Sequence, residues 1–284
     1  MPTAAAGAGV AACAAMFILA GTFAAHAQGA GDPLQGGSIV STADVVRDIA
    51  PTGKLRAAIN LGNMVLAQKD PATGEPRGVT VDLARELGRR LGLAVELVPF
   101  DAAGKVFDAL KAGAWDIAFL AIEPVRAAEI AFTAPYVIIE GVYMVPTNSP
   151  LQTVAEVDRD GIRIALNKGS AYDLFLTRTL KHAQLVRGER GTDVFIKEKL
   201  EAAAGVKQPL VEFAKANPNV RLIDGRFMEI RQAMGTPKLR YQGREAVPRY
   251  LHGFVEEMKA SGFVAKALER SNQPDAAVAP PPEP

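Results

Sequence analysis

The feature that most constrains the fold is a regular alternation of short apolar runs with amphipathic runs in the N-terminal part of the chain. Three runs have the length and apolar content of buried strands: LRAAINL (55–61), VELVPF (95–100) and WDIAFLA (115–121). Between them, VDLARELGRRLG (81–92) and KVFDALKAG (105–113) place their apolar residues on one helical face. Because strands that alternate with helices form a parallel sheet with helices on its faces, this stretch predicts a β-α-β-α-β unit.

A similar alternation restarts after Pro150 and predicts a second α/β unit. Its first strand pattern is GIRIALN (161–167). Helical and strand patterns follow it in the order SAYDLFLTRTL (170–180), FIKEKLEAAAG (195–205), PLVEFAKANP (209–218) and NVRLID (219–224). Neither unit clearly repeats the other in sequence. The chain is therefore expected to be an α/β protein with two units, each a mostly parallel sheet flanked by helices.

Several local patterns complete the secondary-structure prediction. A short helix is expected at Ala43 to Ile49, and KDPATGEPRG (69–78) is typical of a hairpin-like loop. Thr80 is a candidate N-cap for the helix that follows this loop. A final helix is predicted from about Pro248 to Ala267. The remaining residues, 271–284, are rich in Pro and Ala and are predicted to be a disordered tail.

The N-terminal segment has the pattern of a secretory signal peptide. No Asp, Glu, Lys or Arg precedes Asp32, and VAACAAMFILAGTFAA (10–25) is an apolar core. A small-x-small tripeptide ending at Ala27 follows this core, as at a cleavage site. We expect residues 1–27 to be a signal peptide and the protein to be periplasmic. Residues 28–50 then form a leader before the first unit.

A lipoprotein site at Cys13 is a less favoured alternative, because most of the apolar core follows Cys13 rather than preceding it. Cys13 is the single cysteine, so a chain cleaved after Ala27 has no disulfide, thiol nucleophile or thiolate metal site. Such a chain retains only His182 and His252 as histidines. These residues predict neither a metal site nor a Ser-His-Asp triad, and no cofactor is expected.

The composition is that of an ordinary globular protein, with 49% hydrophobic and 22% charged residues. The formal net charge is +1, and the lysines and arginines are scattered along the chain. No basic field is therefore available to attract nucleic acid or an anionic membrane surface.

Arg126 is the leading candidate for a binding residue. In open α/β sheets, ligands bind beyond the carboxyl ends of the strands, and Arg126 lies five residues after Ala121, at that end of a predicted strand. Pro124 suits the first turn of a short helix, whose free backbone N–H groups would lie nearby. A planar guanidinium with adjacent N–H donors is suited to holding a carboxylate through two hydrogen bonds.

A second candidate is the start of the helix that follows the strand GIRIALN. Ser170, with Asp173 three residues later, has the pattern of a capping box. The same helix N-terminus could also contact an anionic group of a ligand.

Four stretches resemble the polar amino-acid family (family 3) of solute-binding proteins of ABC transporters. They are GVTVDLARELGRRLGLAVELV, ALKAGAWDIAF, EPVRAAEIAFTAPY and GIRIALNKGSAYDLFL, and the resemblance covers about residues 51–270. It implies a two-lobe periplasmic-binding-protein fold that closes on its solute by hinge motion at two crossovers. Lobe 1 would comprise residues 51–142 and 229–270, and lobe 2 residues 147–224. The crossovers would lie near 143–146 and 225–228.

The resemblance also implies roles for individual residues. The ligand-carboxylate arginine of the family falls at Arg126, and ligand contacts fall at Ser170 and Ala171. The hydroxyl residues that precede the arginine in the family are replaced by Phe119 and Ala121 here.

Other positions depart from the family pattern in ways that bear on the ligand. A stacking aromatic is replaced by Asn63, and an acid near the first strand is replaced by Asn60. The acid that pairs with the α-ammonium of the solute matches Val206, with Lys207 beside it. The threonine of the arginine motif is replaced by Glu123.

These departures suggest a solute with a carboxylate but without a conventional ammonium site, since a buried ammonium without a carboxylate partner is costly. A keto, hydroxy or aromatic acid would fit, as would a dicarboxylate that reaches Lys207. Glu123 could instead restore a cation site and return the solute to an amino acid. In a further alternative, Glu123 simply pairs with Arg126 in the empty cleft.

The expected function is capture of a small carboxylate-bearing solute for an ABC permease by a monomeric, non-enzymatic protein. One alternative is a periplasmic dehydratase on the same fold, with Glu123 as general acid. Another is a ligand-loaded messenger for a separately encoded sensor. Formation of product from a bound acid would identify the enzyme.

Overall fold

A computed structural model describes residues 42–273 and 276–282. The predicted signal peptide and most of the leader lie outside the described residues. Within them, twelve strands occur in the order β1 (Leu55–Asn60), β2 (Gln68–Lys69), β3 (Pro76–Arg77), β4 (Val95–Phe100), β5 (Ile117–Ala121), β6 (Ile130–Pro146), β7 (Arg163–Asn167), β8 (Gln184–Gly188), β9 (Ala202–Val206), β10 (Val220–Leu222), β11 (Met228–Pro237) and β12 (Ala277–Val278).

Nine α-helices lie among the same described residues. They are α1 (Thr42–Ile49), α2 (Val79–Leu91), α3 (Ala103–Asp108), α4 (Pro124–Ala127), α5 (Ala171–Thr179), α6 (Gly191–Glu198), α7 (Lys207–Ala216), α8 (Ala246–Ala260) and α9 (Phe263–Arg270). Two 3-10 helices, Val154–Glu156 and Lys238–Tyr241, complete the set. No helix in this part of the chain is long and apolar enough to cross a membrane.

Ten of the strands form one mixed sheet with the order β4-β1-β5-β11-β6-β9-β7-β8, and β10 and β12 also pair with β6. β1 lies between β4 and β5 and is parallel to both, which confirms the predicted β-α-β-α-β unit. In the second unit, β7 lies between β8 and β9 and is again parallel to both. β2 and β3 form the expected small hairpin. The α/β fold class is therefore confirmed.

We call the part built on β4, β1 and β5 the first half, and the part built on β8, β7 and β9 the second half. The 17-residue strand β6 joins them. Its N-terminal part pairs with β11, and its C-terminal part pairs with β9 and β10. The chain returns to the first half at Phe227, whose ring lies 4.5 Å from that of Tyr143 in β6. The two crossovers between the halves are therefore adjacent.

A buried carboxylate fixes the start of β5. Asp116 is fully buried and accepts hydrogen bonds from Arg56 Nη2 and Arg240 Nη1, each at 2.7 Å. The backbone N–H of Arg56 also donates to Asp116 at 2.9 Å. Because Arg56 belongs to β1 and Arg240 follows β11, this one carboxylate ties together three separate stretches of chain. The start of β5 is thereby fixed against β1 and the segment that follows β11.

Two local predictions were wrong. α2 begins at Val79 with Gly78 at its N-cap, and the Thr80 hydroxyl donates instead to the carbonyl of Leu66. The predicted final helix is divided into α8 and α9, because Gly262 has a left-handed backbone with φ of 75° that interrupts the helical path.

The tail also differs from the predicted disorder in its described part. Ala277–Val278 pairs with β6 in an antiparallel manner, and the N–H of Ala279 donates to the carbonyl of Tyr136 at 3.1 Å. The tail is ordered here because β6 supplies backbone hydrogen-bond partners for it. The composition of the tail does not indicate this pairing.

Candidate functional site

A cavity of about 550 Å³ lies between the two halves. Its walls include the carboxyl ends of β1 and β5 from the first half and of β7 and β9 from the second, at Asn60, Ala121, Asn167 and Val206. This is the position at which ligands bind in open α/β sheets, and the volume suits a small molecule.

Arg126 is one of the residues that line this cavity. Pro124 starts the short helix α4, which turns Arg126 back toward the end of β5. The side chain is only 1% exposed. Its Nη1 donates to the carbonyl of Ala121 at 3.1 Å, and its Nη2 donates to the carbonyl of Gly169 in the second half at 2.9 Å. Burial lowers the pKa of Arg126 to about 10, against a smaller opposing effect of Glu123.

The Nε of Arg126 is buried and has no hydrogen-bond partner among the described residues. Buried polar groups in proteins are nearly always hydrogen-bonded, and an unpartnered one requires an explanation. A carboxylate in the cavity could accept from this N–H, since carboxylates and guanidinium groups match in geometry and charge.

From the second half, Ser170 at the start of α5 lines the cavity. Ser170 is the N-cap of α5 as predicted, and its hydroxyl accepts from the N–H of Asp173 at 3.1 Å. The carboxylate of Asp173 accepts from the N–H of Gly169 at 2.8 Å, one residue earlier than in a standard capping box. Gly169 has φ of +70°, and a Cβ there would lie 3.0 Å from the Cα of Gly104 in the first half. The backbones of the two halves therefore touch, and the cleft is closed.

Five of the eight predicted site residues line the cavity. They are Arg126, Ser170, Ala171, Ala121 and Asn63. The structure therefore brings both halves of the predicted site together around the same cavity.

Phe119, Glu123 and Lys207 do not line the cavity. Phe119 is 2% exposed and packs edge-on against the ring of Tyr136, with 6.0 Å between the ring centroids. Lys207 turns away and donates to the carboxylate of Glu140 at 2.7 Å. A dicarboxylate that reaches Lys207 has no support from this arrangement.

Glu123 is buried and pairs with Arg178 of α5, across the cleft, rather than with Arg126. The alternative in which Glu123 pairs with Arg126 was therefore wrong. Arg178 is 41% exposed, whereas the Glu123 side chain is only 4% exposed. The contact thus holds a first-half carboxylate against a second-half guanidinium.

Several residues that line the cavity were not predicted from the sequence. Gln232 lines the cavity from β11 and is 6% exposed. In the sequence, Gln232 is the polar residue of the otherwise apolar stretch QAMG (232–235), and this pattern could have marked it as a candidate. Tyr172 also lines the cavity, and burial raises the pKa of its hydroxyl to about 12. An apolar section of wall comes from Val206, Pro209, Leu210 and Phe213.

The acidic residues of the cavity wall lie at its solvent-exposed margin. Asp101 is 72% exposed, Glu189 80% and Glu212 68%, and lysines lie within 3.7 Å of each. Within residues 42–273 and 276–282, no group of three His, Cys, Asp or Glu side chains could hold a metal ion.

Comparisons with known proteins agree with this architecture. A family model for bacterial extracellular solute-binding proteins, family 3, matches residues 64–272. Comparison with curated proteins gave no match.

Solved structures of solute-binding proteins share the fold. A solute receptor for L-cysteine of Neisseria gonorrhoeae has a TM-score of 0.68 and 23% identity, with 81% of this chain and 94% of that chain covered. An amino-acid ABC transporter substrate-binding protein of Streptococcus pneumoniae, bound to L-arginine, has a TM-score of 0.65 and 20% identity, covering 80% and 97%. An ancestral amino-acid-binding protein, a precursor of cyclohexadienyl dehydratase, has a TM-score of 0.64 and 21% identity, covering 79% and 98%.

Proposed function

The chain belongs to the bacterial extracellular solute-binding proteins, family 3, and on this basis we propose that it captures a small carboxylate-bearing solute for an ABC transporter. The observation that carries the proposal is the buried Arg126, whose Nε lies without a partner at the cavity. A carboxylate there would gain a charge-assisted hydrogen bond and would offset the cost of burying the guanidinium. The solute is an amino acid or an amine-free organic acid.

The two related structures with named ligands support a carboxylate. L-cysteine and L-arginine, the ligands of the Neisseria and Streptococcus proteins, both carry one. The side chains of these two amino acids differ in size, charge and chemistry. The shared group is therefore the part of the ligand that the common fold can be expected to hold.

Capture proceeds by closure of the two halves as lobes, without covalent chemistry. We assign residues 51–142 and 229–270 to lobe 1 and residues 147–224 to lobe 2. The carbonyl of Gly169 reaches Arg126 only when the lobes meet, so closure completes the surroundings of the guanidinium. A permease in the inner membrane would receive the solute on reopening, and the binding protein would act as a monomer.

The proposed location is the periplasm, after removal of the signal peptide 1–27. The family is extracellular, which agrees with export. Anchoring through Cys13 remains the less favoured alternative.

Binding without chemistry is favoured by the surroundings of Glu123. This residue is the candidate general acid of the dehydratase alternative, but its carboxylate pairs with Arg178 and does not line the cavity. A general acid must come within hydrogen-bond reach of the proton acceptor in the substrate. We therefore assign no catalytic step to the protein.

The test replaces Arg126 with methionine, which keeps much of the side-chain volume and removes the charge. Loss of one partner of a buried charged pair costs about 2–5 kcal/mol, so we expect the affinity for acids to fall about a hundredfold or more. Calorimetric titration of the full-length protein with small carboxylic acids measures this. Arg190→Met is the matched control, because Arg190 also lines the cavity but is 74% exposed. Equal losses in both variants, or unchanged binding in Arg126→Met, would contradict the proposal.

A further inference from the structure

Three of the polar side chains that the first half places in the cavity wall beside Arg126 are neutral amides, and the carboxylate of Asp101 lies at the exposed margin. Asn60, Asn63 and Gln232 all line the cavity from this side. In the sheet, Gln232 of β11 lies opposite Ala121 of β5, whose carbonyl accepts from Arg126. The Gln232 amide is therefore anchored on the strand next to the one that positions the guanidinium.

Two of these amides are available to a ligand. The Oδ1 of Asn60 accepts from the N–H of Gly62 at 3.1 Å and is already engaged. The Oδ1 of Asn63, by contrast, is buried and has no hydrogen-bond partner within the described part of the chain. Gln232 is 6% exposed and lines the cavity, where a ligand can contact it. A buried amide group needs hydrogen-bond partners, and a ligand in the cavity would supply them.

The charges around the cavity disfavour an ammonium group. Arg126 is a buried cation, and the carboxylate nearest to it in sequence, Glu123, is engaged by Arg178. The acidic residues of the cavity wall are exposed and lie beside lysines. Val206, at the carboxyl end of β9, presents an apolar side chain to the cavity. An ammonium enclosed here would be desolvated without a carboxylate partner.

The opposite wall suits an apolar side chain. Val206, Pro209, Leu210 and Phe213 lie together at the end of β9 and the start of α7. The cavity of about 550 Å³ has room for a branched or aromatic group beyond the carboxylate.

We infer that the cavity selects a monocarboxylic acid with a neutral hydroxyl or carbonyl next to the carboxylate and an apolar side chain. A hydroxyl there can donate to the unpartnered Oδ1 of Asn63, whereas a carbonyl can accept from the NH2 group of Asn63 or Gln232. Arg126 binds the carboxylate. This inference rests on the proposed function and specifies the class of solute. Gln232 is thus a specificity-determining residue. It comes from β11, which is distant from the arginine motif in sequence but pairs with β5 in the sheet.

The experiment measures binding of matched acids to the full-length protein by calorimetry. Each set shares one side chain, methyl, isobutyl or benzyl, and contains the 2-hydroxy, 2-keto, 2-amino and unsubstituted acid. The benzyl set is phenyllactate, phenylpyruvate, phenylalanine and 3-phenylpropionate. Within the set that binds best, we expect the hydroxy or keto acid to bind at least about tenfold more tightly than the amino acid, a difference equal to about 1.4 kcal/mol.

Gln232→Leu then tests the role of the amide. We expect this variant to weaken binding of the hydroxy or keto acid about tenfold and to leave the unsubstituted acid within about twofold, since only the former loses a hydrogen bond. Gln184→Leu, at an exposed position of β8, is the matched control and should change neither affinity. Thermal unfolding of Gln232→Leu shows whether the variant is folded, and the two acids are compared on the folded variant.

The outcomes separate this inference from the proposed function. Tighter binding of the amino acid, or equal losses for both acids in Gln232→Leu, would overturn the inference. If Arg126→Met still abolished binding, the carboxylate site would stand. Binding of acids that survives Arg126→Met would overturn the proposed function itself, and failure of every acid to bind would overturn both.

Discussion

The two walls of the cleft differ in what they contribute. The first-half wall carries the buried arginine and the neutral amides, and these sit at or beside the ends of hydrogen-bonded strands. The second-half wall carries the start of α5 and the apolar patch around Leu210. Arg178, which does not line the cavity, pairs with Glu123 of the first half. The first-half wall thus holds the buried arginine and amides that would meet the carboxylate and the group next to it, while the second half supplies the apolar patch and the contacts that close the cleft. Changes to the first half should alter which acid binds, whereas changes to the closing contacts should alter how tightly every acid binds.

Among the contacts between the two halves, the largest effect is expected at the ion pair of Arg178 and Glu123. Arg178→Ala leaves the buried Glu123 carboxylate without its partner. Breaking a buried pair in this way costs about 3–5 kcal/mol, and since Arg178 is 41% exposed we expect about 2 kcal/mol, or about a thirtyfold loss of affinity. Calorimetry with several acids should show the same loss for each. Glu123→Gln should cost less, because the partly exposed guanidinium regains water. A change in the order of preference among acids would contradict a purely closing role.

A smaller effect is expected at the contact of the two backbones. Gly169→Ala places a Cβ 3.0 Å from the Cα of Gly104 and forces alanine into a left-handed conformation. We expect a loss of stability of about 1–2 kcal/mol from the backbone, and a further loss of affinity of about tenfold because the closed cleft is obstructed. Chemical denaturation and calorimetry measure the two effects. Gly104→Ala is the matched control, since its Cβ would lie 3.4 Å from Gly169, an ordinary contact. Equal behaviour of the two variants would refute the clash.

The smallest effect is expected from adding a carboxylate to the apolar wall. Val206→Asp supplies a partner for an ammonium at the end of β9. We expect the ratio of amino-acid to hydroxy-acid affinity to rise about tenfold, which corresponds to one charge-assisted hydrogen bond of about 1.4 kcal/mol. Val206→Asn, which adds a polar group without the charge, is the control. No change in the ratio would show that the ammonium position lies elsewhere.

Much of the fold was predictable because it is encoded locally. Alternating strand and helix patterns gave the two parallel units, and four motifs gave the family, which the match to residues 64–272 confirms. Arg126 was identified because its position after a buried strand constrains where its side chain can lie. The Ser170 cap was likewise a feature of a few neighbouring residues.

The remaining parts depend on contacts between distant residues. Gln232 reaches the cavity because β11 runs antiparallel beside β5, and no local pattern reveals that pairing. Arg178 is the partner of Glu123 only when the two halves meet. Phe119 was expected at the ligand on the basis of its place in the motif, but the ring of Tyr136 encloses it in the core. Register across a cleft or sheet is a property of the assembled chain, not of a segment.

The carboxylate of Asp116 has a consequence for the order in which the molecule can be assembled. Its partners Arg56 and Arg240 lie on opposite sides of the second half in the sequence. The second half has all its strands once the chain has reached Leu222 and can form its core from contiguous residues. The first half must wait for Arg240, because until then a fully buried carboxylate lacks one of its two guanidinium partners. During synthesis, the half that closes the cleft is therefore complete before the half that recognises the ligand.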